Sequence, residues 1–219
     1  MENFKNLTSQ QPLWRALGNS FFYAILTTVI CLLICSIAGY GFEVYHDKGK
    51  DRLFSILLLA MMVPQVATMV PLFKMFSKAK LLNTSIGFIL PIISTPFMIM
   101  MFRQNARAFP VDIIEAARID GANQFQIYWK IFMPIMKPSL ILVGVLNMLT
   151  VWNDYLGPLI FLQDRSKYTL ALGLASFKGV HSTQIIPMLC ITIIMIIPPI
   201  IIFIIAQKYI VEGTSGSIK

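Results

Sequence analysis

The chain has 219 residues, of which 57% are hydrophobic and only 13% are charged, and its mean hydropathy is +0.73. This composition excludes an ordinary soluble domain and favours a membrane protein. The net charge of +8 does not indicate nucleic-acid binding, because the basic residues are scattered between apolar runs and do not gather on one face. Lysines in the loops that flank membrane spans account for it better.

Five apolar segments are predicted to cross the membrane, so the expected fold class is all-α: a polytopic bundle of transmembrane helices. Residues 1–19 form a polar tail before the first segment. Gly39 and Gly41, near the end of that segment, permit close contact between helices. The predicted spans are residues 20–42, 53–73, 86–102, 139–162 and 186–206, inside a transmembrane domain of residues 20–210 that is followed by a tail at 211–219.

Prolines interrupt two of these spans. Pro64 is predicted to break the second span, which ends near Pro71, and the third span carries Pro91 and Pro96. Prolines are tolerated in membranes where neighbouring helices or water satisfy the freed carbonyl groups. They also mark the places where helices bend.

The polar stretch between the third and fourth spans, residues 103–138, is too charged to cross the bilayer, yet its local signals are helical. Pro110 suits a first helical turn, and Asp112 lies where a helix dipole favours negative charge. Gly121 is placed to end that helix. Asn123, with Gln126 three residues later, predicts a capped second helix, which Pro134 is expected to end. The stretch is therefore predicted to form two short helices joined at a glycine.

Each of these two helices carries a face with a regular spacing. In the first helix the alanines form a low-profile face that another backbone can approach closely. In the second helix the aromatic residues recur on one side. The first set is Ile113, Ala116, Ala117 and Asp120, and the second is Phe125, Tyr128, Trp129 and Phe132.

The same stretch resembles the cytoplasmic coupling loop of permease subunits in ATP-binding-cassette (ABC) importers. The family pattern is EAA, three residues, Gly, nine residues, Ile, one residue and Leu-Pro, and Met133 replaces the leucine here. The residues in register are Glu115, Ala116, Ala117, Gly121, Ile131 and Pro134. The resemblance implies that these residues and Asp120 dock into a cleft of an ATPase subunit, where Glu115 pairs with a basic residue. The alternative is an amphipathic loop that lies on the membrane surface.

Three further stretches resemble the carbohydrate branch of that family, in the subunit like the second maltose permease. They are MMVPQVATMVPLF at 61–73, TVWNDYLGPLIFL at 150–162 and YTLALGLASF at 168–177. The resemblance implies that the loop at 163–185 is external and faces a sugar-binding protein. The residues assigned to that loop are Tyr168, Thr169, Leu170 and Gly173.

Five spans place the two chain ends on opposite sides of the membrane. If the coupling loop is cytoplasmic, ten lysines and arginines lie inside and eight outside, which agrees weakly with the positive-inside rule. Lys5 and Arg15 favour the opposite orientation. Maltose-type permeases usually begin with one more span, so the chain resembles a member of the family that is shortened at its N-terminus.

Polar residues inside the spans are candidates for a translocation path, because an ionisable group in a span normally faces a bundle interior or a wet cavity. Asn153 and Asp154 carry oxygens that can bind sugar hydroxyls, and Gln65 is a third candidate. The alternative makes Asn147, Asn153 and Asp154 contacts between helices, or places Asp154 near the outer interface where water reaches it. In the same interpretation Gln65 donates to a carbonyl group that is freed at the bend of Pro64.

The chain lacks the motifs of an enzyme. Gly49 and Lys50 are followed by Asp51, which breaks any phosphate-binding loop, so ATP and magnesium are expected only in a partner ATPase. Three cysteines lie in apolar runs as small buried hydrophobes, and two histidines lie in separate loops, so no metal site is predicted. These residues are Cys31, Cys35, Cys190, His46 and His181.

The sequence thus predicts a permease subunit of a sugar importer in the cytoplasmic membrane of a bacterium or archaeon. The resemblance implies as partners a second permease subunit, an ATP-binding subunit dimer, an extracellular sugar-binding protein and the lipid bilayer. It implies alternating access driven by ATP hydrolysis in the partner. The alternatives are an ABC permease for another solute and a stand-alone channel or scaffold.

Overall fold

The computed structural model describes residues 13–45, 47–107, 109–177 and 185–215. Every regular element in these ranges is helical, which confirms the all-α prediction. The predictions that concern residues 1–12, His46, His181 and the last four residues lie outside the described ranges. The helices are α1 Leu13–Val44, α2 Lys48–Ala60, α3 Gln65–Lys78, α4 Ser85–Ile89, α5 Pro96–Ala106, α6 Val111–Ile119, α7 Gln124–Ile135, α8 Lys137–Trp152, α9 Leu156–Phe161, α10 Leu170–Ala175 and α11 Ile185–Ser215.

Two helices in the described ranges are long and apolar enough to cross a membrane by themselves. They are α1 and the Ile185–Lys208 part of α11, and they contain the predicted first and last spans. The tail was expected to begin at 211, but α11 continues to Ser215. By length and composition, up to five spans result if the bent pairs Lys48–Ala60 with Gln65–Lys78, Ser85–Ile92 with Pro96–Ala106, and Gln124–Ile135 with Lys137–Trp152 each count as one.

The predicted second, third and fourth spans are each broken in two. The second span breaks between Ala60 and Gln65, which confirms the break predicted at Pro64. The predicted end near Pro71 is wrong, because α3 runs through that proline to Lys78. The third breaks before Pro96, which occupies the first turn of α5 behind the capping hydroxyl of Thr95. The predicted fourth span 139–162 is wrong as one helix, since α8 ends at Trp152 and α9 starts only at Leu156.

The chain forms two compact units, and helix α1 contributes residues to both. The first unit comprises Met1–Thr28, Gln65–Ile93 and Asn147–Ile205. Inside it, Asn147 donates a hydrogen bond to the Thr28 hydroxyl at 3.1 Å, and the Trp152 indole N–H donates to the Met195 carbonyl. Buried polar groups between helices are satisfied in this way, as apolar surroundings require.

The second unit comprises Val29–Pro64, Ser94–Leu146 and Ala206–Lys219. Its apolar core places Cys31 and Cys35 against Phe102 and Val143, all fully buried. All three cysteines are free and buried, which confirms their prediction as small core residues. The same unit contains the predicted helix–turn–helix.

Candidate functional site

The turn between the two short helices forms as the sequence predicted. Helix α6 ends where Gly121 adopts a left-handed backbone conformation, with φ of 82°. The Gly121 N–H donates to the Arg118 carbonyl at 3.1 Å, and the Ala122 N–H donates to the Ala117 carbonyl at 2.9 Å. These two bonds define a Schellman motif, which satisfies carbonyl groups that the helix end would otherwise leave unpaired.

The second helix begins with the predicted capping box. The Asn123 side chain accepts from the Gln126 N–H, and the Gln126 side chain accepts from the Asn123 N–H, both at 2.9 Å. Both bonds satisfy amide groups at the helix start. Hydrogen bonds on each side of the turn therefore fix the geometry between the two helices.

The prediction that Pro134 ends the second helix is wrong. Residues Tyr128–Phe132 form a π turn, in which the Met133 N–H donates to the Tyr128 carbonyl five residues back. Helical structure then continues through Pro134 to Ile135, and α7 meets α8 at an angle of 77°. The wider turn accommodates a proline that has no amide hydrogen to donate.

A buried cluster lies beneath the helix–turn–helix, and we call it the aromatic base. The Phe132 ring is fully buried 4.7 Å from Tyr40 and 5.9 Å from Tyr128, and the Tyr128 hydroxyl bonds with that of Ser36 at 2.6 Å. Burial raises the pKa of Tyr128 above its ordinary value. The members are Tyr40, Ala106, Phe109, Ile114, Ala117, Ile127, Tyr128, Phe132 and Met136.

Each of the two predicted helix faces is partly buried in the aromatic base and partly exposed, so neither face is one continuous surface as predicted. Ala117 is buried in it, whereas Ala116 is exposed, so the two alanines do not share one open surface. Tyr128 and Phe132 are likewise buried, whereas Phe125 and Trp129 are exposed. The aromatic base is too small to bury all four aromatic side chains of the second helix.

The exposed surface of the helix–turn–helix combines two carboxylates with apolar side chains, and we call it the outer face. Ile119 is 87% exposed and Phe125 is 71% exposed, which is unusual for large apolar groups without a partner. Of the other motif residues, Asp120, Gly121 and Pro134 are exposed and Ile131 is half-buried. The outer face consists of Ile113, Glu115, Ala116, Ile119, Asp120, Phe125 and Trp129.

An ionic cluster that the sequence analysis did not identify lies in the same unit, at the end of α5. The buried guanidinium of Arg103 contacts Glu43 at 3.3 Å and Asp51 at 3.2 Å, and it lies 4.0 Å from the centre of the Phe54 ring. The exposed Arg107 approaches Glu43 at 3.7 Å. These contacts tie the start of the loop that leads to α6 to the end of α1 and to α2.

The polar residues proposed for a translocation path have local partners or stand exposed. The Asn153 amide donates to the Leu149 carbonyl at 2.8 Å, and the Asp154 carboxylate accepts from the Gly157 N–H at 3.1 Å. Asp154 therefore caps the start of α9. Gln65 is exposed at the start of α3. Asn147 forms the contact between helices that the alternative interpretation expected.

The four residues assigned to the external loop are mostly inside the protein. Thr169 caps α10, and Thr169, Leu170 and Gly173 are buried, while Tyr168 is half-buried. Their burial excludes the last three as surface contacts in this conformation. The exposed residues of the loop before α10 are instead Gln163, Asp164 and Arg165. Residues 178–184 of the predicted loop lie outside the described ranges.

No cluster of three or more metal-ligating side chains occurs in the part of the chain that the structure describes.

We expect Gly121→Ala to destabilise the turn by about 1–2 kcal/mol, because a side chain at a φ of 82° is strained. Proteolysis of the detergent-solubilised protein should cut this turn faster than in the wild type. Gly41→Ala is the matched control, because nothing lies within 4 Å of its added methyl group. Equal cleavage of both variants would contradict the assignment of Gly121 as a required glycine.

The helical fold and the broken apolar helix pairs are typical of a multi-pass membrane protein, and the helix–turn–helix exposes both carboxylates and large apolar side chains. Comparison with known proteins identifies its family. Residues 32–216 match the family described as binding-protein-dependent transport system inner membrane component. The chain belongs to this family and is a multi-pass inner-membrane component of such a transport system.

Curated relatives match along the whole chain. The lactose transport system permease protein LacG of Rhizobium radiobacter is 35% identical over 218 residues, which cover 100% of this chain and 80% of the relative. The arabinooligosaccharides transport system permease protein AraQ of Halalkalibacterium halodurans is 36% identical over 221 residues, covering 100% of this chain and 79% of that protein.

Solved structures share the fold. A bacterial ABC transporter involved in the import of alginate aligns with a TM-score of 0.85 at 24% identity, over 95% of this chain and 79% of the other. The MetNI methionine ABC transporter in an inward-facing conformation aligns with a TM-score of 0.69 at 19% identity, over 97% and 99%. At these identities the likeness concerns the fold alone.

Proposed function

We propose that the chain is a permease subunit of an ABC importer that moves a sugar or oligosaccharide across the cytoplasmic membrane by alternating access. The observation that carries the proposal is the outer face, which is apolar, exposed and supported from beneath by the aromatic base. The curated relatives named for lactose and arabinooligosaccharides support the choice of a sugar.

The proposed docking follows from the shape and charge of the outer face. Ala116 leaves room for close approach of a partner backbone, and Ile119 and Phe125 supply apolar area that water leaves on docking. Glu115 is exposed beside them and is available to pair with a basic group. The partner is an ATPase subunit, which binds ATP and magnesium, while this chain binds neither.

Force transmission requires that the docked element move as one body with the helices behind it. The Tyr128–Ser36 bond and the Tyr40–Phe132 contact join the helix–turn–helix to α1, within the second unit. Arg118 adds a contact, with its guanidinium 5.9 Å from the Tyr45 ring centre. The remaining partners are a second permease subunit and an extracellular sugar-binding protein.

The translocation path is assigned to the transmembrane helices. Gln65 is an exposed amide at the start of α3, and Asn153 is an exposed amide directly after α8, so both remain the candidates for contact with sugar hydroxyls. Asp154 contributes to the path indirectly, because its carboxylate accepts the hydrogen bond that caps the start of α9.

The proposal is tested by purifying the chain with its ATPase and second permease and reconstituting the complex in nanodiscs. A sugar-loaded binding protein should stimulate ATP hydrolysis several-fold, and labelled sugar should enter proteoliposomes. Stimulation only by a binding protein loaded with glycerol phosphate or an amino acid would replace the sugar by another solute. Failure of any ATPase subunit to copurify in mild detergent would favour a stand-alone membrane protein.

We expect Glu115→Lys to abolish sugar uptake while membrane insertion is retained, because the reversed charge opposes docking at an exposed position. Lys78→Glu, a charge reversal at the exposed end of α3, is the control and should retain uptake. Uptake is measured in whole cells, and insertion by the amount of protein in washed membranes. Normal uptake with Glu115→Lys would contradict the docking role.

A further inference from the structure

We propose that Asn83 is a positioning residue that holds Gln163, Asp164 and Arg165 in one shape, ready for contact with the extracellular binding protein. We call these three residues the tip. The inference rests on the proposed function and adds to it the docking surface on the first unit and the residue that shapes it.

The backbone of Asn83 connects the segments before and after the tip. Its N–H donates to the Phe161 carbonyl at 2.7 Å, and its carbonyl accepts from the Lys167 ammonium group. The residue adopts a left-handed conformation with φ of 57°, which asparagine tolerates better than most residues. One residue thus fixes both ends of a short loop that is about 80 positions away in the sequence.

The side chain of Asn83 binds the tip itself. Its Oδ1 atom accepts from the Gln163 N–H at 3.3 Å and from the Asp164 N–H at 3.1 Å. Two neighbouring backbone donors are therefore satisfied from within the protein. The side chains of the tip are left exposed, so the contact constrains the shape of the tip without covering it.

Hydrogen bonds also hold the residues that directly follow the tip in the sequence. The Asn19 amide donates to the carbonyls of Ser166 at 2.9 Å and Tyr168 at 3.0 Å, and the Ser20 hydroxyl accepts from the Leu170 N–H at 2.7 Å. The Asp164 carboxylate accepts from the Ser166 N–H at 2.9 Å. The loop is therefore connected to α1 as well as to Asn83.

The tip presents one carboxylate and one guanidinium next to each other. Hydrogen bonds from Ser166 hold the pKa of Asp164 below its ordinary value, and Lys167 and Arg15 act in the same direction. Asp164 is therefore ionised at neutral pH. A carboxylate and a guanidinium exposed at neighbouring positions suit a polar, charged surface on a soluble partner, since complementary charges give specificity.

A fixed tip improves docking because a mobile loop would lose conformational freedom on binding. Asn83→Gly tests this directly, because glycine adopts the left-handed conformation and lacks the side chain whose oxygen binds the tip. Asn83→Asp retains an oxygen at the same position and should restore the wild-type behaviour. Lys80→Gly is the matched control, since Lys80 lies in the same connection with the same φ of 57° and an exposed side chain.

The experiment titrates the purified sugar-loaded binding protein against the reconstituted complex and records ATP hydrolysis. Asn83→Gly should raise the half-maximal concentration about tenfold and leave the maximal rate within about twofold. Asn83→Asp and Lys80→Gly should stay within about twofold of the wild type in both quantities. Hydrogen exchange at the Gln163 and Asp164 amides should accelerate in Asn83→Gly alone.

The outcomes separate this inference from the proposed function. An unchanged half-maximal concentration in Asn83→Gly, or an Asn83→Asp variant as weak as Asn83→Gly, would overturn the role of Asn83 while leaving the proposed function intact. A reduced maximal rate at unchanged half-maximal concentration would also overturn it, because the defect would then lie after docking. A wild-type complex that no sugar-binding protein stimulates would overturn both.

Discussion

Replacing Arg103 by methionine is expected to lower the free energy of unfolding by about 2 kcal/mol, because the partly buried Glu43 then keeps only its longer contact with the exposed Arg107. Asp51 contributes less to this loss, since its side chain is 61% exposed and screened by solvent. Methionine preserves much of the apolar volume near Phe54. The measurement is thermal or denaturant unfolding of the purified chain in detergent.

Arg107→Met is the matched control, because Arg107 pairs with the same carboxylate but is 62% exposed. Its expected cost is below about 1 kcal/mol. The double variant Arg103→Met with Glu43→Gln should recover part of the lost stability, since both charges are then removed together. Equal effects of Arg103→Met and Arg107→Met would contradict the assignment of Arg103 as the buried centre of the cluster.

Gly39→Ala and Gly41→Ala are expected to change stability in opposite directions, although the two glycines are separated by one residue in α1. A Cβ atom at Gly39 would lie 2.5 Å from the Phe102 Cβ and 3.0 Å from the Arg103 backbone nitrogen. Helices α1 and α5 would have to separate, at a cost of about 1–3 kcal/mol. Thermal unfolding should therefore begin several degrees lower than in the wild type.

The methyl group added at Gly41 meets nothing within 4 Å. Alanine has the higher helix propensity, so Gly41→Ala should be neutral or stabilise the protein by up to about 1 kcal/mol. The same scan of detergent-solubilised protein compares both variants directly. Stability changes of the same sign and size would show that α1 and α5 do not pack closely at Gly39.

The turn of the helix–turn–helix was predictable because its signals are local. Gly121, Asn123 and Gln126 bond within a few positions of one another, so their spacing alone identifies the Schellman motif and the capping box. Burial of the cysteines followed from their apolar surroundings for the same reason. Features that depend on three or four neighbouring residues are accessible from one sequence.

The contacts that the sequence did not predict join distant segments. Arg103 lies 60 positions from Glu43 and 52 from Asp51, and no local pattern links a basic residue at the end of one helix to acids near another. Asn83 and the tip are likewise about 80 positions apart in the sequence. A search for basic residues at the ends of apolar segments would have identified Arg103, although not its partners.

Which residues of the two predicted faces are buried also depends on tertiary packing, and helical periodicity carries no information about that packing. Helical spacing placed Ala116 and Ala117 together, but the aromatic base covers only the second of them. The break after Trp152 was missed because Asn153 and Asp154 were interpreted as polar groups inside a continuous span. Their hydrogen bonds instead end α8 and begin α9.

The π turn at Tyr128–Phe132 holds one residue more than regular α-helix geometry requires. Deleting the exposed Lys130 should therefore let this turn wind as regular α-helix and leave Met136 in the aromatic base. A one-residue deletion in α8, which is already regular, would instead rotate everything after it by about 100° around the axis. An in-frame loss of one codon should therefore harm the protein less at Lys130 than inside α8.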